Sequence, residues 1–334
     1  MLWFYIVLTL ASTGIVWVGS DLLEKSSGRL SRYYGLPPIV QGAIISAIGS
    51  SFPELSSTVL STAIHGEFEL GVSIVAGSAI FNILVIPGVS GLVASEPLET
   101  NRDLVYKEAQ FYMIAVATLL LMFSFAVIYY PTEAHLSGEV NRLLAIGPIA
   151  LYALYVFIQY LDIADHTPEQ EVKVGNPWKH WGLLVLGLAV ILVGVEGLVQ
   201  SALAFGEIFG TPSFFWGVTV LAVATSIPDL FVSIKAARRG HAVASLANAL
   251  GSNTFDLLVC IPAGILIAGS AVIDFNIAAP LMGFLVIATV ALFIYTRTHL
   301  QLSKPECFSL CVFYVLFIGW MTLESFGVTS YVLK

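Results

Sequence analysis

Ten runs of apolar residues, each long enough to cross a bilayer as a helix, constrain this chain more than any other feature. They fall at 2–20, 37–64, 70–95, 111–131, 143–161, 181–205, 211–234, 242–272, 275–296 and 307–323. Crossing about 30 Å of hydrocarbon takes about 20 such residues as a helix. In lipid, segments of this length satisfy their backbone hydrogen bonds only as helices. The sequence therefore predicts an all-α integral membrane protein with ten transmembrane helices and the lipid bilayer as its solvent. Composition removes the soluble alternatives, because 57% of the residues are hydrophobic and 11% charged, against about 25% charged in soluble domains. The net charge of −8 also argues against a nucleic-acid partner. The run at 2–20 lacks a basic flank and a small-residue cleavage site, so it reads as a span and not as a leader.

Lys and Arg divide sharply across these runs. Twelve of the fourteen lie in the loops after runs 1, 3, 5, 7 and 9, and the other side has only Arg142 and Lys334. Basic loops stay in the cytoplasm. The odd-numbered loops are therefore expected to be cytoplasmic and both termini extracellular, in the cell membrane. The longest polar stretch, 163–180, reads as a cytoplasmic linker between a first half, 1–162, and a second, 181–334.

The halves are related in sequence. At a constant offset of 175 residues, Gly19, Gly35, Pro37, Gly42, Ala47, Ser51 and Pro53 recur as Gly194, Gly210, Pro212, Gly217, Ala222, Ser226 and Pro228. The acids Asp21 and Glu54 recur as Glu196 and Asp229, and after a one-residue slip Gly77-Ser78 and Phe81-Asn82 recur as Gly251-Ser252 and Phe255-Asp256. Five spans is an odd number, so the second half enters the membrane inverted. The basic loops invert with it. Two inverted five-helix repeats are a transporter architecture, with the binding site near the midplane.

Ionisable residues at bilayer depth are functional candidates by default, and the deep ones are Glu54, Asp229 and Asp256. Glu54 and Asp229 each follow a proline. Proline supplies no N–H and crowds the carbonyl four residues back. Kinks there are expected to loosen the Gly49 and Ala224 carbonyls and to turn those of Ala47, Ser50, Ala222 and Thr225 inward. Ala47, Ser50, Ser51 and Glu54 share one helical face, as do Ala222, Thr225, Ser226 and Asp229. Ser78 with Asn82, and Ser252 with Asp256, add pairs spaced by one turn. All these donors are oxygens, which suit Ca²⁺ and Na⁺ and not zinc or copper. Three ionised carboxylates would balance one Ca²⁺ with a monovalent cation, or three Na⁺. Asp21 and Glu196 sit near span ends, where structural or gate-lip roles fit better than ligation. Cys260, Cys307 and Cys311 have no metal or disulfide spacing, and the six histidines lie between the apolar runs. Neither a catalytic centre nor a resident cofactor is expected.

The segments 42–91 and 217–264 resemble the α-repeats of the cation/Ca²⁺ exchanger superfamily. Pro-Glu-Leu, Gly-Ser-Ala-Ile-Phe-Asn-Ile-Leu, Pro-Asp-Leu and Gly-Ser-Asn-Thr-Phe-Asp-Leu are most similar to the K⁺-dependent Na⁺/Ca²⁺ exchangers. The resemblance implies an exchanger fold in which Glu54 and Asp229 bind Ca²⁺ and Na⁺ alternately. Ala47, Ser50, Ser51, Ser78, Ala222, Thr225, Ser226 and Ser252 would then line the Na⁺ sites, with Asn82 and Asp256 completing the centre. An Asp at position 256 goes with K⁺ use in the K⁺-dependent branch, although some K⁺-independent microbial relatives also carry it. The family often has Asn four residues before the serine of each Gly-Ser pair. Asn248 keeps it, and Ile74 departs from it. The short linker leaves no room for a large regulatory domain, and no obligatory protein partner is evident.

The expected activity is an antiport that exports Ca²⁺ in exchange for Na⁺, with K⁺ co-transport as the K⁺-dependent variant. A Ca²⁺/H⁺ antiporter of the same superfamily is the alternative, with protons replacing Na⁺ on the carboxylates. The paired hydroxyls of Ser50/Ser51 and Thr225/Ser226 favour Na⁺, since proton carriage needs only the acids. An intramembrane aspartyl protease lacks its Gly-x-Gly-Asp context here, and a channel has less need of inverted halves.

Overall fold

The computed structural model describes residues 1–34, 47–102, 104–161 and 176–329. Nine helices among them are long and apolar enough to cross a membrane. Run 2 begins outside the described residues, and its remainder forms α2 (Ala47–Ser50) and α3 (Phe52–Ala63). The other spans are α1 (Leu2–Tyr33), α4 (Phe68–Val93), α5 (Ala109–Tyr129), α6 (Arg142–Leu161) and α7 (Pro177–Phe209). They continue with α8 (Ser213–Trp216) and α9 (Ala222–Arg238), α10 (Ala242–Phe255) and α11 (Ile261–Ala268), α12 (Phe275–Arg297) and α13 (Lys304–Ser325). Three π-helical turns, Leu104–Glu108, Gly217–Leu221 and Asp256–Cys260, lie within the spans.

Three sequence boundaries shift. Helix α1 continues well past the end of its apolar run, carried by polar residues such as the Asp21–Lys25 pair, one turn apart at 2.6 Å. Helix α7 starts at Pro177, inside the stretch read as linker, where the Asn176 side chain caps it by accepting from the Trp178 N–H at 3.0 Å. His180 is therefore in the first turn of a helix and not between spans. Run 8 does not stay helical to 272. Gly269 adopts a left-handed φ of 97° that ends α11, and the chain leaves as a strand, β3 (Ser270–Asp274). Glycine takes that backbone geometry without steric penalty.

Strand β3 pairs antiparallel with β2 (Ser137–Asn141), and β1 (Leu98–Glu99) pairs with β4 (Gln301–Leu302). These ribbons join the loops after spans 4 and 8 and after spans 3 and 9, so they close opposite ends of the bundle. Exchanging the two halves maps each ribbon onto the other. The helix contacts obey the same rule: α4 packs on α9 as α11 packs on α3, and α13 on α4 as α6 on α11. Helices α1 and α7 pack on each other along their length. Gly19 and Gly194, a repeat pair, permit that approach, since a Cβ on either would come within 3.1 Å of the facing backbone. Small residues at such crossings let helices approach closely in lipid. Helix α4 is buried almost throughout, while α1 and α13 offer most of their surface outward. The centre of the molecule therefore lies where α4 and α10–α11 meet α3 and α9.

Candidate functional site

The first-repeat helix breaks between α2 and α3 at Ser51, which leaves helical geometry with φ −90° and ψ 5°. Pro53 follows in the first turn of α3, where its missing N–H costs nothing. Glu54 thus sits in the first turn of a helix, a position favourable to negative charge, with 3% of its surface exposed. The second repeat departs from the expected matching kink. Helix α9 runs unbroken through Pro228, and the irregularity lies upstream in the π-helical turn Gly217–Leu221. Ala47 opens α2 and Ala222 opens α9. The Ala222 carbonyl accepts from the Thr225 hydroxyl at 3.3 Å and is not left free.

The two halves are stitched together by hydroxyls at the centre. Ser78 Oγ donates to Glu54 Oε1 at 3.1 Å and lies 2.8 Å from Ser226 Oγ. The Thr225 hydroxyl also faces the Glu54 carboxylate. On the other side of the repeat the hydroxyl contact shifts by one residue: Ser50 Oγ is 2.8 Å from Ser252 Oγ, while Ser51 Oγ donates to the Ser252 carbonyl at 3.4 Å. Asp256 is 1% exposed, opens a π-helical turn and accepts from Cys260 Sγ at 3.7 Å. Asn82 Nδ2 donates to Asn253 Oδ1 at 3.0 Å. Glu54 Oε2 and Asn82 Oδ1 are buried and have no hydrogen-bond partner in the protein. Buried oxygens of this kind are costly unless something else completes them, and a hard cation is the chemistry that fits the surrounding donors.

Asp229 differs from the other two acids. It is half-buried and lines a cleft of about 170 Å³ with Glu24, Ser50, Ser233, Ser245 and Asn248. The cleft reaches inward from the end of the bundle that carries the loops after spans 1 and 7. Among the described residues, no three Asp, Glu, His or Cys side chains gather closely enough to grip one metal ion. The three acids therefore do not form one tight cluster, and hydroxyl, amide and carbonyl oxygens stand among them. Among the described residues, ion pairs join Lys25 to Asp21 and His65 to Glu196. Contrary to their sequence positions, Asp21 and Glu196 lie inside helices α1 and α7, which continue well beyond them.

Asn253, Tyr112 and Glu24 escaped the sequence reading. Asn253 stands inside the Gly-Ser-Asn-Thr-Phe-Asp motif without a spacing of its own, and Tyr112 lies hidden in an apolar run. The departure at Ile74 now has a cause. Ile74 is fully buried beside Val16, Ile191 and Leu221, whereas its repeat partner Asn248 faces the cleft.

Two interlocked halves around a buried, oxygen-lined centre define an inverted-repeat membrane transporter. A model of the family described as sodium/calcium exchanger protein matches residues 4–161 and 179–323, and the chain belongs to that family. The sodium/calcium exchanger MaX1 of Methanosarcina acetivorans is 26% identical over 333 residues, covering 90% of this chain and 93% of the relative. The human sodium/potassium/calcium exchanger 4 is 40% identical over 165 residues, 48% of this chain and 24% of that one. Among solved structures, the sodium-calcium exchanger NCX_Mj superposes with a TM-score of 0.64 at 21% identity, covering 96% of this chain and 99% of that one. The fold is thus the inverted-repeat exchanger fold, and family membership supports antiport with Ca²⁺ exchange.

Proposed function

We propose that this protein exports Ca²⁺ from the cytoplasm in exchange for Na⁺, one cargo replacing the other at the centre between Glu54, Asp229 and Asp256. The observation that carries the reading is the buried, unpartnered oxygen of Glu54, Oε2, at a crossing of serine hydroxyls from both halves, with a second unpartnered oxygen, Asn82 Oδ1, one turn beyond Ser78 on α4. Na⁺ and Ca²⁺ both take such ligands. The hydroxyls favour Na⁺ over H⁺ as the counter-ion, because a proton needs only the carboxylates. Basic loops in the cytoplasm would make the cleft at Asp229 the cytoplasmic access of an inward-facing state. Alternating access then requires that cleft to close and its mirror image to open. Each net charge carried down the potential contributes about 2.3 kcal/mol per 100 mV, so exchange of three Na⁺ for one Ca²⁺ would sustain a steep Ca²⁺ gradient. K⁺ co-transport, the finer reading, rests on Asp256 and on the likeness to the human sodium/potassium/calcium exchanger.

The test is Ca²⁺ uptake into Na⁺-loaded proteoliposomes, with outward Na⁺ and pH gradients varied separately and K⁺ present or absent. Uptake driven by the Na⁺ gradient at constant pH is the expected result. Uptake that follows the pH gradient and ignores Na⁺ would overturn it in favour of Ca²⁺/H⁺ exchange. Equal uptake with and without K⁺ removes K⁺ coupling and leaves Na⁺/Ca²⁺ exchange standing.

A further inference from the structure

Asn253 lies between the candidate ligand Asn82 and the surrounding helices, and its hydrogen bonds have a fixed polarity. It is fully buried in the last turn of α10. Its Nδ2 donates to the Ala79 carbonyl of α4 at 3.0 Å and to the Tyr112 hydroxyl at 3.4 Å. Its Oδ1 accepts from Asn82 Nδ2 at 3.0 Å. A backbone carbonyl only accepts, so the Ala79 oxygen dictates that the amide nitrogen of Asn253 faces it. The oxygen of Asn253 must then face Asn82, and only the amide nitrogen of Asn82 can meet it. The Asn82 oxygen is left over, buried and without a protein partner.

We propose that Asn253 is a positioning residue of the exchange centre: it holds the Asn82 amide so that its oxygen, and not its NH₂, is presented to the transported cation. The two ends of an amide are nearly equal in shape, but a cation is attracted by one and repelled by the other. The inference rests on the proposed role of Asn82 as an ion ligand. Tyr112, fully buried on α5 and lying against Thr289 of α12, backs Asn253 from spans 4 and 9. The other repeat explains why the lock exists once. The repeat partner of Asn82 is Asp256, whose two oxygens are equivalent and need no orienting, and the residue standing where the second half has Asn253 is Ala79. An asparagine ligand comes with an orienting residue, and an aspartate comes with an alanine.

The experiment measures apparent Ca²⁺ affinity by Na⁺-driven uptake in proteoliposomes for Asn82→Ala, Asn253→Leu, Asn82→Asp and the doubles that combine Asn253→Leu with each change at position 82. Asn253→Leu alone is expected to weaken Ca²⁺ affinity by about 10-fold to 100-fold, the range seen when the residue holding a metal ligand from behind is removed. In the Asn82→Asp background the same change should cost nothing or improve affinity, because a carboxylate offers oxygen at either end and no longer faces the Asn253 oxygen. A role in packing alone would give the same loss in every background, and that result overturns the proposal. If Asn82→Ala leaves Ca²⁺ affinity unchanged, the ligand reading of Asn82 falls and this inference falls with it. If Asn82→Ala weakens affinity and Asn253→Leu does not, only the positioning role falls. Should Asn253→Leu fail to insert in the membrane, the smaller Asn253→Ala gives the same comparison.

Discussion

Gly77 and Gly251 occupy equivalent places in the two repeats, one residue before Ser78 and Ser252, yet alanine at these positions should act with opposite signs. A Cβ on Gly77 would stand 2.6 Å from the Val218 carbonyl oxygen, 2.9 Å from Val218 Cα and 2.7 Å from Ala222 Cβ. Two of these are backbone atoms of the π-helical turn leading into α9, which cannot swing aside as a side-chain tip would. Ordinary contact begins at 3.4 Å, so α4 and the facing turn would have to part by most of an ångström. Overpacking a core by one carbon costs about 1–3 kcal/mol, and a backbone obstruction belongs at the upper end of that range. The parting would also draw Ser78 away from Glu54 and Ser226, which it meets at 3.1 and 2.8 Å. At Gly251 the nearest atom to a built Cβ is the Tyr155 hydroxyl at 3.8 Å. Alanine fits there, and in a helix it should gain about 0.5–1 kcal/mol over glycine.

The assay is thermal unfolding of the purified variants in detergent beside Na⁺-driven Ca²⁺ uptake in proteoliposomes. Gly77→Ala should lower the melting temperature by several degrees, at about 2–4 °C per kcal/mol for large domains, and should lose most of its transport. Gly251→Ala should match or exceed the parent in stability and keep transport. Equal tolerance at both sites, or equal damage, would refute the reasoning. Equal damage is what the sequence repeat alone would suggest.

The remaining expectations concern the cleft and the acids. Asp256→Asn should abolish any stimulation of Ca²⁺ uptake by K⁺ while Na⁺-driven uptake persists, as read by uptake with K⁺ present or absent. Ala236→Cys, on the cleft wall, in a background lacking Cys260, Cys307 and Cys311, should react with a membrane-impermeant thiol reagent from the side of the basic loops only. Reaction from the other side would reverse the proposed orientation. Glu196→Gln removes the carboxylate that accepts His65 Nε2 at 3.0 Å and ties α7 to the end of α3. Both groups are partly exposed, so the tie contributes up to about 1 kcal/mol. Its loss should slow labelling at Ala236→Cys by up to about fivefold, because the end opposite the cleft is released.

Much of the fold was legible because lipid imposes one simple rule on composition. Nine of the apolar runs coincide with the nine membrane-length helices among the described residues, and α2–α3 ends the tenth. The ends of helices were less legible. Charged residues such as Asp21, Glu24 and Lys25 mark where lipid stops, and a helix like α1 continues into water beyond that point. Strand β3 was invisible because Ala271, Val272 and Ile273 prolong an apolar run, and only Gly269 marks the change of backbone. At the centre, Glu54 and Asp256 stood out because carboxylates are rare among apolar neighbours. Asn253 did not, since its importance lies in the polarity of its hydrogen bonds and not in its residue type or spacing.

The inverted repeat gives the two halves the same contacts without giving them the same exposure. The walls of the cleft at Asp229 include Ser50, Ala236 and Asn248, each partly exposed. Their repeat partners are Thr225, Ser61 and Ile74, and all three are buried, as Thr58 is. Thr58 and Ser61 also satisfy themselves within α3, donating to the carbonyls of Glu54 and Ser57 at 3.1 and 2.6 Å. Hydroxyls bonded to their own helix can be dry in one state and wetted in the other without breaking a contact between elements. Under the proposed antiport, the surface that is now an open cleft in one half and a packed seam in the other is one device seen in its two conditions. Exchange then amounts to swapping those conditions between the halves, with Asp229 reached from one side of the membrane and Glu54 from the other.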